Sequence, residues 1–281
     1  MDTKRDRNSE LILVDTHVHT DISPDSQAKI QDVVQYAQSA KLKGIIITNH
    51  FECYQDQRQH MPFAYIEQSC IQAEQIRQSL SEFYVGKGIE IGQIIFRPEI
   101  ESRIAQYPLD CLIASVHKVD NYDISKVPLA ILNRTDYLER YFEQVYQTAA
   151  KADFDILAHL DLPSRRLESA HYSEMPAVNE QIRNILTTLI NRGKTLEINT
   201  SLVTGDSFKT MPSYEILQEY FSLGGRNISL GSDAHRACDV GRGFLCTIEV
   251  LREIGFTQIS WYENRIRCFS DICLLYTSDA A

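Results

Sequence analysis

The chain has 281 residues, 38 of them acidic and 28 Lys or Arg, so its formal charge at neutral pH is −10. Hydrophobic residues make up 43%, enough to bury a sizeable core; this excludes a disordered chain, a collagen-like repeat and a small disulfide scaffold. The acidic excess argues against long nucleic acid as a partner, which needs a positive field, but it admits a phosphate substrate because bound cations reverse the potential locally. No apolar run reaches the ~18 residues of a membrane span, and MDTKRDRNSE at the N-terminus lacks a secretory apolar region. The seven cysteines (53, 70, 111, 238, 246, 268, 273) are odd in number, scattered and free of any C-x-x-C pair, as a reducing compartment allows. The expectation is a cytoplasmic protein with no thiolate metal site and no membrane partner.

In chain order, seven short apolar segments read as strands: Leu11–His17, Lys43–His50, Phe83–Gly92, Leu109–His117, Phe154–Asp161, Lys194–Ser201 and Asn227–His235. Their near-continuous hydrophobicity suits parallel strands buried on both faces. Helical spacing fills the intervals over Ala28–Leu42, Ala64–Ser81, Asp136–Ala152, Ala177–Arg192 and Ser213–Ser222. In the first, Ile30, Val33, Val34 and Ala37 stand at i, i+3, i+4 and i+7. Alternating strands and helices imply right-handed βα units and a parallel sheet, and seven units over some 270 residues favour an α/β barrel over an open sheet. No Pro/Gly/Ser-rich linker divides the chain, so residues 1–269 read as one barrel domain. Residues 270–281 read as a tail with the character of a cloning or sequencing scar and carry no functional expectation.

The polar residues fall where a barrel enzyme needs them. Six of the eight histidines (17, 19, 50, 117, 159 and 235) stand at strand ends, where chance places about one or two. A closed barrel brings those ends together at one rim. His60 and His171 lie elsewhere and read as loop histidines. His17 and His19, at i and i+2 of an extended segment, point to one face and can reach one ion; Asp233, on the strand adjacent in a closed barrel, joins them. Glu90 ends the third strand facing the same cavity, where a carboxylate can bridge two cations. His117 and His159 complete a second site. Asp25, His50 and His235 make a third, although Asp25 equally fits a turn and N-cap before the helix at 28. Imidazole and carboxylate donors without thiolate suit Zn²⁺, Mn²⁺ or Fe²⁺, and clustered ions of this kind perform phosphoryl chemistry by deprotonating a bridging water and stabilising the leaving alkoxide.

Asp15-Thr16-His17-Val18-His19-Thr20, Ser23-Pro24-Asp25, Thr48-Asn49-His50, Gly88-Ile89-Glu90, Ser115-Val116-His117, His159-Leu160-Asp161 and Gly231-Ser232-Asp233-Ala234-His235 together resemble the polymerase-and-histidinol-phosphatase (PHP) family, in its order, from about residue 11 to 240. The resemblance implies a distorted (β/α)7 TIM-like barrel with a trinuclear centre at the C-terminal ends of the strands and phosphoesterase activity. Position by position it implies His17, His19, Glu90 and Asp233 on one ion, Glu90, His117 and His159 on the second, and Asp25, His50 and His235 on the third. The length, Arg165-Arg166 after the fifth strand, Glu197-Ile198-Asn199-Thr200-Ser201 and Pro212-Ser213-Tyr214 resemble the histidinol-phosphate phosphatase branch, implying hydrolysis of L-histidinol phosphate in histidine biosynthesis. Asn49, where Asp is commoner, and Leu202-Val203-Thr204 depart from that pattern.

Arg165 or Arg166 can clamp the phosphate bidentately, with Arg236 and Lys118 as further basic candidates. Glu52 is a guess for the substrate's cationic part. The expected mechanism is in-line attack by a metal-bridging hydroxide, with Asp161 or His235 assisting proton transfer to the leaving group. Other phosphoesters (nucleotide bisphosphates, short oligonucleotides, phosphotyrosine) are rival substrates. Metal-dependent amide hydrolysis lacks the bridging lysine it usually recruits. A non-catalytic barrel module should have lost ligands, and none of the nine is missing.

Overall fold

In the computed structural model, which describes residues 11–54, 56, 61–120, 122–167, 172–205 and 207–272, the first strand is β1 (Val14–Val18), buried along its whole length. It pairs in parallel with β2 (Gly44–Ile47), with a bulge between Asp15 and Val18. The expected second strand is broken at Thr48-Asn49 and resumes as β3 (His50–Glu52). The break follows from side-chain chemistry. Thr48 Oγ1 accepts the Val18 amide, and Asn49 Oδ1 accepts the Thr20 amide, so both residues serve the loop after β1 rather than continue the ladder. The long β4 (Tyr84–Gly92) pairs with β2 along its first half and with β3 along its second, setting His50 opposite Glu90.

Next come β5 (Cys111–Ser115), a small antiparallel pair β6 (Lys118–Val119) and β7 (Tyr122–Asp123), then β8 (Ile156–Leu157), β9 (Thr195–Asn199) and β10 (Ile228–Gly231). The sheet order β1-β2-β4-β5-β8-β9-β10 is parallel throughout. It closes on itself where the Asp233 amide donates to His17 O (2.8 Å) and the His19 amide to Ala234 O (2.9 Å). The result is a nearly closed, mostly parallel barrel of seven strand positions.

Helices cover the outside. α1 (Ile30–Ser39) buries Ile30, Val33, Val34 and Ala37, the stripe its sequence spacing demands. α2 (Ala64–Gln78), the one-turn α3 (Glu101–Ile104) and α4 (Leu129–Leu132), α5 (Thr135–Lys151), α6 (Pro176–Arg192), α7 (Tyr214–Ser222) and α8 (Phe244–Ile254) follow. Pro176 opens α6, where its missing N–H costs nothing, and Gly193 at φ +63° ends it in the left-handed conformation.

Two elements carry weaker sequence signals: α8 and the antiparallel hairpin β11 (Gln258–Glu263) with β12 (Ile266–Asp271). The hairpin inserts Trp261 and Tyr262 against Val14, Ile46, Cys111, Ile113 and Ile156, and Tyr262 Oη meets Thr195 Oγ1 at 2.8 Å. These apolar residues fill the interior below the strand ends. The tail boundary at 270 needs correction: Ser270 Oγ accepts the Ile12 amide, and Ile272 is fully buried with its amide donating to Thr257 O. Residues 273–281 lie outside the described residues, as do His60 and His171.

Candidate metal centre

Above the apolar layer the inward side chains turn polar. Ile113, Ser115 and His117 step by two along β5 and just past it, and Ile46, Thr48 and His50 do the same across β2 and β3. All six strand-end histidines meet Glu90, Asp233 and Asp25 at this level, with neighbouring imidazole centroids 4.1 to 5.8 Å apart. Asp25 is not a helix cap; α1 starts after Lys29 without a side-chain cap, and the Asp25 carboxylate faces histidines instead.

Three groupings are evident. His17 Nε2 and His19 Nε2 stand 3.1 Å apart, with Asp233 Oδ1 3.6 and 3.3 Å and Glu90 Oε2 3.4 and 3.6 Å from them. Glu90 Oε1 lies 3.0 Å from Nε2 of both His117 and His159. Asp25 Oδ2 lies 3.3 Å from His50 Nε2 and 3.4 Å from His235 Nε2. His50 belongs to more than one neighbourhood, since its Nδ1 is 2.8 Å from Glu90 Oε2 and it shares a donor cluster with Glu90 and His117 as well as one with His19 and His235.

The imidazoles are held from behind. His17 Nδ1 meets Glu197 Oε1 at 2.5 Å and His117 Nδ1 meets Glu52 Oε1 at 2.7 Å. His19 Nδ1 meets Ser23 Oγ at 3.0 Å, while Ser23 in turn donates to Asn49 Oδ1; His235 Nδ1 meets the Asp233 carbonyl at 3.0 Å. In each case the acceptor draws the proton to Nδ1 and leaves an Nε2 lone pair facing the cluster. Facing lone pairs 3.1 Å apart repel unless a cation or proton lies between them. Glu90 Oε2 is buried with no hydrogen bond of its own. A borderline-soft divalent cation satisfies both conditions, so these donors fit such ions chemically.

Burial opposes ionisation of Glu90, yet His117, His50 and His17 around it hold its carboxyl well below the usual range. Asp233 is likewise buried but held well below it by Arg165, His17 and His19. Burial disfavours a charged His50, but Glu90 and Asp25 together outweigh it, pushing the imidazole up to about 10. Cationic neighbours thus hold both buried carboxylates ionised, a part that a bound cation would also play.

A cavity of about 360 Å³ opens over the cluster, floored by His50, His117, His159, Asp233 and His235 and walled by Tyr54, Met61, Ile124, Leu162, Asp123 and both arginines. Arg165 reaches the cluster, with Nη2 2.5 Å from Asp233 Oδ2. Arg166 donates through Nη1 to the carbonyls of Ile124 and Val127, a structural engagement of the wall. Arg236 pairs with Asp239 at the surface, and Lys118 lies 3.4 Å over the Tyr54 ring.

Asp161, expected as a proton donor, stands away from the cavity. The chain leaves β8, turns at His159 (φ +20°) and enters a short 3-10 turn at Leu162–Arg165, so Asp161 lies under the loop, outside the cavity lining. Burial raises its carboxyl to about 7, against Ser213, Ser164 and Lys209 nearby. Glu52 lines the same cavity, nearly buried, with its Oε1 engaged by His117. Glu197, Ser23 and Asn49 support the ligands from behind; sequence reading placed Glu197 at the rim and Asn49 behind a ligand, but gave Ser23, in the loop after β1, no role of its own. Asp15 is another supporting residue, its two oxygens accepting the Ser232 and Gly241 amides (2.9 Å each) and tying β1 to the loop beyond β10.

A barrel with this mouth is the architecture of a metal-dependent hydrolase. The PHP domain model matches residues 15–201, and the chain belongs to the PHP family. It is 30% identical over 253 residues to a Thermotoga maritima protein named "Probable histidinol-phosphatase", covering 88% of this chain and 95% of that one. It is 30% identical over 267 residues to the histidinol-phosphatase of Lactococcus lactis subsp. lactis, covering 89% and 94%. Among solved structures, the histidinol phosphate phosphatase of Lactococcus lactis subsp. lactis, complexed with zinc, L-histidinol and phosphate, superposes with a TM-score of 0.78 at 22% identity over 92% of this chain and 100% of that one, a likeness of fold.

Proposed function

We propose that this protein is a divalent-metal-dependent phosphomonoesterase whose substrate is L-histidinol phosphate, releasing L-histidinol and phosphate. The observation that carries the reading is Glu90, whose Oε1 faces His117 and His159 while its Oε2 faces His17, His19 and His50, the disposition of a carboxylate shared between cations. The substrate class follows from the full-length relatives named for this activity. We assign three ions, Zn²⁺, Mn²⁺ or Fe²⁺, with His17, His19, Glu90 and Asp233 on the first. His117, His159 and Glu90 hold the second, and Asp25, His50 and His235 the third. Bound there, they supply Lewis acidity and a nucleophilic water at neutral pH.

The chain's own groups do the rest. Arg165 stands against Asp233 at the cavity floor, where its guanidinium can take two phosphate oxygens while staying anchored. Arg166 holds the wall on which Ile124 sits. Asp123 lines the same cavity and offers an anionic partner for the amine of the substrate. His235 has Nδ1 committed to a backbone carbonyl, leaving Nε2 as its only free nitrogen. One nitrogen cannot both coordinate and carry a proton, so we keep His235 as a ligand and not as the proton donor. A cavity of about 360 Å³ admits a small monoester and no duplex. One barrel domain through residue 272 contains every group invoked, and the unpaired thiols among the described residues accord with a cytoplasmic setting.

The test is phosphate release by metal-loaded protein from L-histidinol phosphate, a nucleotide 3′,5′-bisphosphate and an aryl phosphate. A kcat/KM of about 10⁴ M⁻¹s⁻¹ or more for the first alone supports the assignment. Comparable weak rates on all three remove the substrate assignment but keep the phosphoesterase, and no release from any removes both.

A further inference from the structure

Glu197, in the middle of β9, is completely buried and does not line the cavity. Its Oε1 lies 2.5 Å from His17 Nδ1. Its Oε2 accepts the His159 backbone amide at 2.7 Å and lies 3.3 Å from Asn199 Nδ2. Two N–H donors thus converge on Oε2 while the His17 imidazole meets Oε1, so a carboxylate here can accept from both sides of the site at once. The two principal donors belong to different parts of the site: His17 stands with His19 and Asp233, and His159 stands with His117 and Glu90 Oε1.

We propose that Glu197 is a positioning residue that fixes the tautomer of His17 and the backbone pose of His159 at once, so that one buried carboxylate sets the ligand geometry of two neighbouring metal positions. The inference rests on the metal-binding reading above. Two further observations support it. His159 sits at φ +20°, a conformation that an L residue adopts only when held, and the bond from its amide to Glu197 is the hold. Gly231, which pairs with Asn199 on the neighbouring β10, leaves the space that Glu197 and His17 occupy: a Cβ there would clash with Glu197 Oε1 and fall 2.7 Å from the His17 Cβ. The only other carboxylate set behind an imidazole in this way, among the described residues, is Glu52, and it bonds no second ligand's backbone.

Glu197→Gln isolates the effect, because glutamine keeps the shape but has one acceptor oxygen. If its NH₂ faces the His159 amide, two donors oppose each other. If it faces His17, the imidazole must carry its proton on Nε2 and lose the lone pair that points at His19. The experiment uses the full chain stripped with a chelator, and reads zinc affinity by competition with a chromophoric chelator, alongside circular dichroism and melting of the metal-free form. The expected result is an unaltered metal-free fold with zinc affinity weaker by about 10–100-fold, and turnover that recovers as free zinc is raised. A purely structural role would lower the metal-free melting temperature and show no such recovery. Unchanged zinc affinity in Glu197→Gln overturns the proposal. Should the variant not fold, ¹⁵N-histidine NMR of the wild-type protein decides instead, with His17 assigned by its loss in His17→Asn. An Nδ1-protonated ring supports the proposal, and an Nε2-protonated ring overturns it. Wild-type protein that takes up no zinc overturns the metal reading and this inference with it.

Discussion

Asp161→Asn separates two roles that sequence alone left together. Asp161 is buried under the loop after β8, and burial raises its carboxyl from 3.8 to about 7. A carboxyl whose folded value exceeds its unfolded value stabilises the fold fully below the unfolded value, and that contribution is lost as pH rises through the folded one. Here the loss runs from about pH 4 to pH 7 and is complete above that. At roughly 1.4 kcal/mol per pH unit it amounts to about 4 kcal/mol as a ceiling. Asparagine cannot ionise, so the variant lacks this loss, offset by about 1 kcal/mol for the acceptor it no longer offers near Ser213 and Ser164. Its melting temperature, measured from pH 4 to 9, should therefore gain on wild type as pH rises to about 7 and hold that gain beyond, by up to something on the order of 10 °C. Turnover at saturating substrate should be unchanged. A stability difference that does not vary with pH would refute the electrostatic argument. A drop in kcat of ~100-fold or more, the scale of a lost general acid, would refute the placement of Asp161 outside the reaction.

Other outcomes follow from the same geometry. Arg165→Ala should lower kcat/KM by about 100-fold with little change in melting, whereas Arg166→Ala should lower the melting temperature and change kcat/KM far less; steady-state kinetics and calorimetry on both variants check the split. Gly92→Ala would place a Cβ 1.9 Å from Glu52 Oε2, driving that carboxylate off His117, so zinc affinity should fall by about 10–100-fold in a chelator competition without loss of the strand. In the metal-stripped protein His50 is pushed up to about 10, above its unfolded 6.5, so its contribution is complete below pH 6.5 and is lost as pH rises to about 10. Melting of the stripped protein should decline over that window, and zinc-loaded protein should not follow it, because coordination requires neutral imidazole.

The sequence was most legible where periodicity and chemistry coincide. Val33 and Val34 face the core because their helical spacing leaves no other choice, and the six strand-end histidines meet because parallel strands of a closed barrel must present their C-terminal ends together. Asp161 shows one limit: a strand-end triplet fixes which residues are polar but not how the backbone turns, and after the twist at His159 the Asp161 side chain is buried away from the cavity lining. Asn49 shows a second limit. Its effect on His19 passes through Ser23, and a relay of two hydrogen bonds spanning 4 and then 26 positions leaves no local pattern. The same holds for Glu197, 180 positions from His17. The hairpin that plugs the barrel floor went unread because it departs from the βα rhythm of the rest of the chain.

The measurement that bears most directly on the metal centre is anomalous diffraction from crystals of zinc-loaded protein, recorded on both sides of the zinc absorption edge. The account predicts edge-dependent peaks within the cluster, one enclosed by His17, His19, Asp233 and Glu90, one between Glu90, His117 and His159, and one beside Asp25, His50 and His235. Zinc bound elsewhere on the chain, with the barrel mouth free of anomalous signal, would contradict it.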